Sequence, residues 1–197
     1  MIAVWGIVLG LVLGKVRGGT FENLGKLQLR WLVLAFVALG IQLLTFPTPW
    51  WAHPPLAEAT RGWHLFSYAL IVAFLGANRR LVPLWGIAAG VMMNLVVITA
   101  NGGLMPTNPD ALSASGNQEV AERLAQSREA TLGNVVVMSA DTRLNVLGDW
   151  LYLPQWIPFG DAFSLGDVAL MVGVAWLIQR AMVSKHVQPP KTDSGWD

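Results

Sequence analysis

Apolar residues in this chain are gathered into five runs, and each run is closed by polar residues, glycine or proline. An α-helix rises about 1.5 Å per residue, so about 20 apolar residues cross a hydrocarbon core of about 30 Å. The pattern therefore predicts an all-α integral membrane protein with five transmembrane helices, packed as a single bundle over residues 1–183. The predicted spans cover about 1–17, 30–47, 63–78, 81–101 and 165–183.

Basic residues fall in alternate connections between the runs, which is typical of loops that stay on the cytoplasmic side. The other side receives residues 47–62 and a long outer loop, residues 102–164, with seven acidic and three basic residues. We therefore predict an outer N-terminus, an inner C-terminus and a disordered cytoplasmic tail at residues 184–197. The basic residues assigned to the cytoplasmic side are Lys15, Arg17, Lys26, Arg30, Arg79, Arg80, Arg180, Lys185 and Lys191.

The outer loop is expected to have structure of its own. The segment Ser115–Gln118 has the form of a capping box, which predicts a short helix to about Ala130. The run Asn134–Ala140 is too short to span a bilayer. The aromatic, proline-broken segment Trp150–Phe159 is expected to lie in the interface over the bundle. The inner face of the short helix would consist of Val120, Leu124 and Ser127.

Composition agrees with a membrane location and excludes several kinds of chemistry. Hydrophobic residues make up 54% of the chain and charged residues 13%, against about 25% charged residues in soluble domains. Ten tryptophans also suit membrane interfaces. The absence of cysteine excludes disulfides, cysteine zinc sites, iron–sulfur clusters and a thiol nucleophile. No motif indicates binding of nucleic acid.

Glycines recur every four residues in the first predicted span, and Gly86 and Gly90 repeat the spacing in the fourth. Small residues at this spacing let helix backbones approach closely. We favour packing within the bundle, and the alternative is a protein partner bound through these glycine-rich faces. The glycines of the first span are Gly6, Gly10, Gly14 and Gly18.

Asn94 lies in the middle of the fourth span, on one helical stripe with Gly90 and Asn101. An amide within a membrane needs a hydrogen-bonding partner, and Gln42 on the second span is one candidate. The alternative is that this stripe forms the wall of a polar cavity, with Asn101 at its mouth.

The acids at the end of the outer loop are the candidate chemistry. Ser164-x-x-Asp167 has the form of a capping box for the last span, and a cap would also fix the position of the carboxylate. Asp141, Arg143 and Asp149 are most simply interpreted as solvated loop charges, but they lie among apolar and aromatic residues. A partly desolvated carboxylate pair could share a proton, with one pKa raised, or could hold Mg²⁺ or Ca²⁺. We assign no metal, and the sequence leaves the cofactor unknown.

The order of these motifs resembles a bacterial multi-pass membrane family catalogued as domain of unknown function 5317. The resemblance extends over nearly the whole chain and implies the multi-pass topology without an activity. The motifs are Arg17-Gly18-Gly19, Asn78-Arg79-Arg80, Asn94, Asn101-Gly102-Gly103-x-Met105-Pro106, Asp141-Thr142-Arg143-Leu144, Leu147-Gly148-Asp149 and Ser164-x-Gly166-Asp167.

The last span is also similar to that of lipoprotein signal peptidases. In that family Phe-Asn-x-Ala-Asp opens an outer-to-inner helix and supplies a catalytic aspartate. Here the segment Phe163–Asp167 has Ser164 and Gly166 in place of the Asn and Ala. The segment Asn145–Asp149 is similar to the one that carries the other aspartate. This resemblance implies an aspartyl-peptidase-like pair, Asp149 and Asp167.

Two hypotheses follow for a protein of the bacterial cytoplasmic (inner) membrane. The first is an outer-face enzyme with Asp149 and Asp167 as catalytic residues, acting on a lipid-linked or lipidated substrate from the bilayer. The second is a non-enzymatic protein, either a subunit of a membrane complex or a binder of lipid or a small ligand. In the first hypothesis, the orienting or substrate-binding residues are Asn94, Asn101, Asp141 and Arg143.

Overall fold

The structure, a computed structural model, describes residues 2–46, 55–56, 59–126, 134–158 and 160–183. It is mostly helical, with 65% of residues in helices, and this confirms the all-α prediction at the level of fold class. The elements are α1 (Ala3–Val16), α2 (Phe21–Gly25), α3 (Leu32–Thr45), α4 (Thr60–Ala77), α5 (Leu84–Ala100), β1 (Met105–Thr107), α6 (Pro109–Ala114), α7 (Gln118–Gln126), β2 (Val135–Val137), β3 (Leu151–Tyr152), β4 (Ala162–Phe163) and α8 (Leu165–Val183), with a 3₁₀ turn at Asn145–Leu147.

Helix α8 lies at the centre, and α1 packs along it in the same direction. Gly6 lies against Met171, Gly10 against Ala175, and both contacts involve the backbone of α8. A Cβ atom added at Gly10 would lie 2.9 Å from the carbonyl oxygen of Ala175. Because Gly6 and Gly10 have no side chains, the backbones of α1 and α8 can come into contact.

Helix α5 packs on another face of α8 in the opposite direction. A Cβ at Gly90 would lie 2.6 Å from the backbone nitrogen of Leu170, and one at Gly86 would lie 3.0 Å from the Cα of Gly173. The glycine faces of α1 and α5 are thus used inside the bundle, as the packing interpretation expects, except that Gly18 lies beyond α1 with open space around it. A protein partner bound through them stays a prediction.

Helices α3 and α4 form an antiparallel pair held by buried polar contacts. Gln42 Nε2 donates to Ser67 Oγ at 3.0 Å, toward the C-terminal end of α3. At the other end the Asn78 side chain holds the backbone of Arg30, accepting from its N–H at 2.8 Å and donating to its carbonyl at 2.7 Å. A polar side chain that satisfies both backbone groups of one residue fixes the connection between the helices.

The outer loop folds into two small sheets and two short helices. β1 pairs with β2 in parallel, and β3 pairs with β4 antiparallel. The predicted helix after Ser115 is present as α7, and its predicted face is confirmed as buried at Leu124 but not at Val120. Ala121 and Leu124 are buried, while Val120 is 39% exposed, because the phase of the helix is set by packing against β2 and α6. Ser127 and Ala130 lie outside the described residues.

The hydroxyl of Ser115 does not cap α7. It donates to the carbonyl of Leu112 at 2.7 Å and accepts from Asn117 Nδ2 at 3.0 Å, so it closes the end of α6. The capping-box pattern located the start of the helix correctly but assigned the wrong role to the serine.

Each predicted span contains a long helix, with ends that differ by up to three residues from the predicted bounds. Among the described residues, one helix is long and apolar enough to cross a membrane by length and composition, Leu165–Val183. A single helix of this kind also occurs as the core of soluble proteins, so it does not by itself establish a membrane location. The predicted tail, residues 184–197, lies outside the described residues.

The contact between α5 and α8 predicts unequal effects of alanine at two helical glycines. Gly90→Ala should lower the free energy of unfolding by about 1–3 kcal/mol, because the added methyl group overlaps the backbone of α8. Gly40→Ala, on α3 with open space around it, should leave stability unchanged or raise it by up to about 1 kcal/mol. Denaturant unfolding in mild detergent, followed by tryptophan fluorescence, measures both. Equal stability of the two variants would contradict the proposed packing.

Candidate functional site

The first turn of α8 carries a complete capping box. The backbone N–H of Asp167 donates to Ser164 Oγ at 3.0 Å, and the backbone N–H of Ser164 donates to Asp167 Oδ2 at 3.1 Å. This reciprocal arrangement satisfies two N–H groups that a helix start leaves without partners. The capping role expected for Asp167 is therefore confirmed, and it fixes the carboxylate in one place.

Asn94 on α5 reaches across to this cap. Its Nδ2 donates to Asp167 Oδ1 at 2.8 Å, and its Oδ1 accepts from Ser164 Oγ at 2.9 Å. The prediction of Gln42 as its partner is wrong, because Gln42 is held by Ser67 within the α3–α4 pair. The buried amide thus joins the middle of one helix to the start of another.

Gly166 is required at its position by this contact. A Cβ at Gly166 would collide with Asn94 Oδ1, and Gly90 packs against the Gly166 carbonyl from the same side. Any larger residue would push α5 away from the cap and break both hydrogen bonds of Asn94. This helix contact explains the glycine of the Ser-x-Gly-Asp sequence.

Asp149 is brought to the same end of the bundle by strand pairing. Its backbone N–H donates to the carbonyl of Pro106 at 2.8 Å, and its carbonyl accepts from the N–H of Asn108 at 2.8 Å. These bonds align the residue in parallel with Thr107 at the end of β1. The loop acid is therefore held by backbone hydrogen bonds on both sides.

The carboxyl group of Asp149 is only half satisfied. Oδ2 accepts from Thr107 Oγ1 at 3.2 Å. Oδ1 is buried and has no hydrogen-bonding partner among the residues that the structure describes. A buried polar atom without a partner costs free energy, so this oxygen indicates a functional group.

Burial raises the pKa of Asp149 well above its usual range, and the neighbouring charge of Asp167 raises it further. The hydrogen bond from Thr107 acts in the opposite direction but is the smaller effect. The protonated form of Asp149 is therefore favoured, and its O–H can donate a proton to a bound molecule.

Tyr68 on α4 completes the site, and sequence reasoning missed it. Its hydroxyl interacts with Asn94 and lies within electrostatic range of Asp149 and Asp167, while its ring is buried in the core between α4 and α5. A tyrosine within an apolar helix needs a partner for its hydroxyl, and that is the signal that could have found it.

Asn101 and the loop residues predicted with it have a different role. Asn101 holds the backbone of Arg143, donating to its carbonyl and accepting from its N–H, each at 2.8 Å. The side chains of Asp141 and Arg143 are exposed, and within residues 134–158 no ion pair joins them. The structure thus brings together Asn94, Asp149 and Asp167, and it leaves the Asp141 and Arg143 side chains at the surface.

An apolar cleft of about 590 Å³ lies between α1 and the end of the outer loop, within the range typical of ligand pockets. Met171, one turn after Asp167 on α8, forms part of its wall. Trp5 closes one end, where its Nε1 donates to the carbonyl of Pro158 at 3.3 Å. The aromatic segment expected over the bundle does lie against α1 here. The lining residues are Trp5, Val8, Leu9, Val12, Leu153, Trp156, Ile157, Pro158 and Met171.

The raised pKa of Asp149 predicts a pH dependence of stability. A carboxyl whose pKa is higher in the folded chain contributes stability that is complete below its unfolded pKa, about 4, and is lost as pH rises through the folded value. We expect the unfolding temperature to fall as pH rises from about 4 toward the raised pKa of folded Asp149. In Asp149→Asn, whose side chain stays neutral, the unfolding temperature should decrease less over this pH range. The exposed control Asp141→Asn should show the same decrease as wild type. Parallel curves for wild type and Asp149→Asn would refute the assignment.

The two roles of Ser164 predict a large effect for a small change. Ser164→Ala removes the cap of α8 and leaves Asn94 Oδ1 without its donor, so the free energy of unfolding should fall by about 1–3 kcal/mol. Ser113→Ala, which removes an exposed hydroxyl bonded to Gln118, should change it by less than about 0.5 kcal/mol. Denaturant titration measures both, and similar losses in the two variants would count against the cap network.

Comparison with known proteins identifies one family. Residues 26–179 match the profile of a family of unknown function, DUF5317, and the match includes every site residue from Tyr68 to Asp167. No curated protein and no solved structure matches the chain. Since the matched residues make up more than half of its length, the chain belongs to the family of unknown function DUF5317.

Proposed function

We propose that this protein is a multi-pass protein of the bacterial cytoplasmic membrane with five spans, an outer N-terminus and an inner C-terminus. The five long helices alternate in direction, so that Arg17, Arg79 and Arg180 lie at one end and Asp167 at the other. Many large apolar side chains on the outer faces of these helices are exposed, among them Val33, Phe36 and Trp85. An apolar surface of this extent suits a lipid environment.

At the outer end, we propose an aspartyl-type hydrolase site made by Asp149 and Asp167. The observation that carries this is the buried, unpartnered Asp149 Oδ1 beside a second carboxyl group that is fixed by hydrogen bonds. A pair of acids in which one keeps its proton is the arrangement needed for combined acid and base catalysis.

The roles follow from the environments of the two acids. Asp167 takes a proton from water as its oxygen attacks the scissile carbonyl carbon. Asp149 gives its proton to the leaving amine, so the products are a carboxylic acid and an amine. The apolar cleft ending at Met171 fits a lipid-linked or lipidated substrate, whose acyl chain would lie there while the peptide group reaches the acids.

Turnover by purified protein tests this proposal. The protein in proteoliposomes would be incubated with a panel of lipidated peptides, and products would be identified by mass spectrometry. We expect hydrolysis by wild type, and a loss of at least about 100-fold in Asp149→Asn and in Asp167→Asn, because each removes one proton-transfer role. Asp141→Asn, with its exposed side chain, should retain activity.

Folding must be checked in the same variants, since Asp167 also caps α8. Asp167→Asn retains an oxygen that can accept from Ser164, so its thermal unfolding should remain cooperative. Full activity in both aspartate variants would sink the hydrolase proposal whatever their stability.

A non-enzymatic lipid or small-ligand binder is the second candidate, and one observation favours it. Both oxygens of Asp167 are already engaged by Asn94 and Ser164, which is what a purely structural carboxylate would show. Co-purified lipid seen by native mass spectrometry, with no product from any lipidated peptide, would select this alternative. Purification with a stoichiometric protein partner would instead indicate a subunit of a membrane complex.

A further inference from the structure

A second pocket lies at the opposite end of α8, about as far from the acids as the bundle allows. Helices α1 and α8 run in parallel and finish together, and a pocket of about 260 Å³ opens between their last turns. It is lined by Arg17, Trp176, Gln179, Arg180 and Val183.

Two positive charges share this pocket without a protein counter-charge. Within residues 2–46 and 160–183, neither Arg17 nor Arg180 forms an ion pair, and the side chains of Trp176 and Gln179 make no hydrogen bond. The nearby acid on α2, Glu22, is already paired with Lys26 at 2.6 Å. Four donor side chains therefore line one cavity, and the described part of the chain supplies no anion for them.

Capping of the helix ends does not explain the arginines. The carbonyl of Met182, near the end of α8, accepts from the backbone N–H of Thr20 and from Asn23 Nδ2, each at 3.0 Å. Arg180 is thus not needed to satisfy this carbonyl. The charges remain available for a ligand.

We propose that Arg17 and Arg180 bind the phosphate group of an anionic phospholipid from the inner leaflet. Guanidinium groups match the geometry of phosphate oxygens, and basic pockets between helices on the cytoplasmic side are suited to anionic headgroups. Val16, 79% exposed beside Arg17, offers an apolar surface to the acyl chains. The inference rests on the proposed membrane location and is independent of the acid chemistry.

Lipid retention measured by native mass spectrometry tests the site. Protein from micelles doped with equal amounts of phosphatidylglycerol and phosphatidylcholine should retain one phosphatidylglycerol in preference. The Arg17→Gln/Arg180→Gln variant should lose this preference by about tenfold or more. The Arg30→Gln/Arg80→Gln variant removes the same charge at the same end of the bundle, from exposed side chains, and should keep it.

The other outcomes would overturn the site, the lipid preference or the membrane location. Equal losses in the two double variants would mean general attraction to the surface charge and no site. Equal retention of both lipids by wild type would refute the lipid preference. Saturable binding of inorganic phosphate in place of phosphatidylglycerol would identify free phosphate as the ligand. Failure of wild type to float with liposomes after an alkaline wash would instead overturn the membrane location, on which the site depends.

Discussion

The arrangement of this protein depends on the close contact between α5 and α8. Gly90 and Gly166 remove side chains from the point where the two helices meet, and only then can Asn94 reach the cap of α8. The hydrogen bonds from Asn94 and Ser164 convert a backbone contact into a specific register, because a shift by one residue would leave buried polar groups without partners. The position of the Asp167 carboxylate follows from that register.

The position of the outer loop also depends on the contact between α5 and α8, through β1. β1 continues from the end of α5, and it holds Asp149 through the hydrogen bonds to Pro106 and Asn108. The position of Asp149 therefore depends on α5 through β1, whereas Asp167 lies in the first turn of α8. These two acids come from distant parts of the sequence, and the charge of Asp167 acts on Asp149. Helices α5 and α8 cannot separate without exposing the amide of Asn94.

Helix α8 also separates two electrostatic environments. Its first turn lies near the acids and the amide, where burial raises the pKa of Asp149 above its usual range. Its last turns carry Arg180, which lines an open pocket with Arg17 from the end of α1, and no anion pairs with either arginine within residues 2–46 and 160–183. A single helix thus links the two sites that we propose, one for proton transfer and one for anion binding, and α1 packs along it.

The sequence by itself determined the helices, their order and the cap, because hydrophobic runs, turn residues and the Ser-x-x-Asp spacing are local signals. It also singled out Asn94, Asp149 and Asp167, since polar groups in apolar surroundings need an explanation. Only the tertiary structure decided their partners. The choice of Asp167 over Gln42 for Asn94, the part played by Tyr68, and the exposure of Asp141 and Arg143 depend on which helix faces meet. That is settled by backbone distances at glycines far apart in the chain.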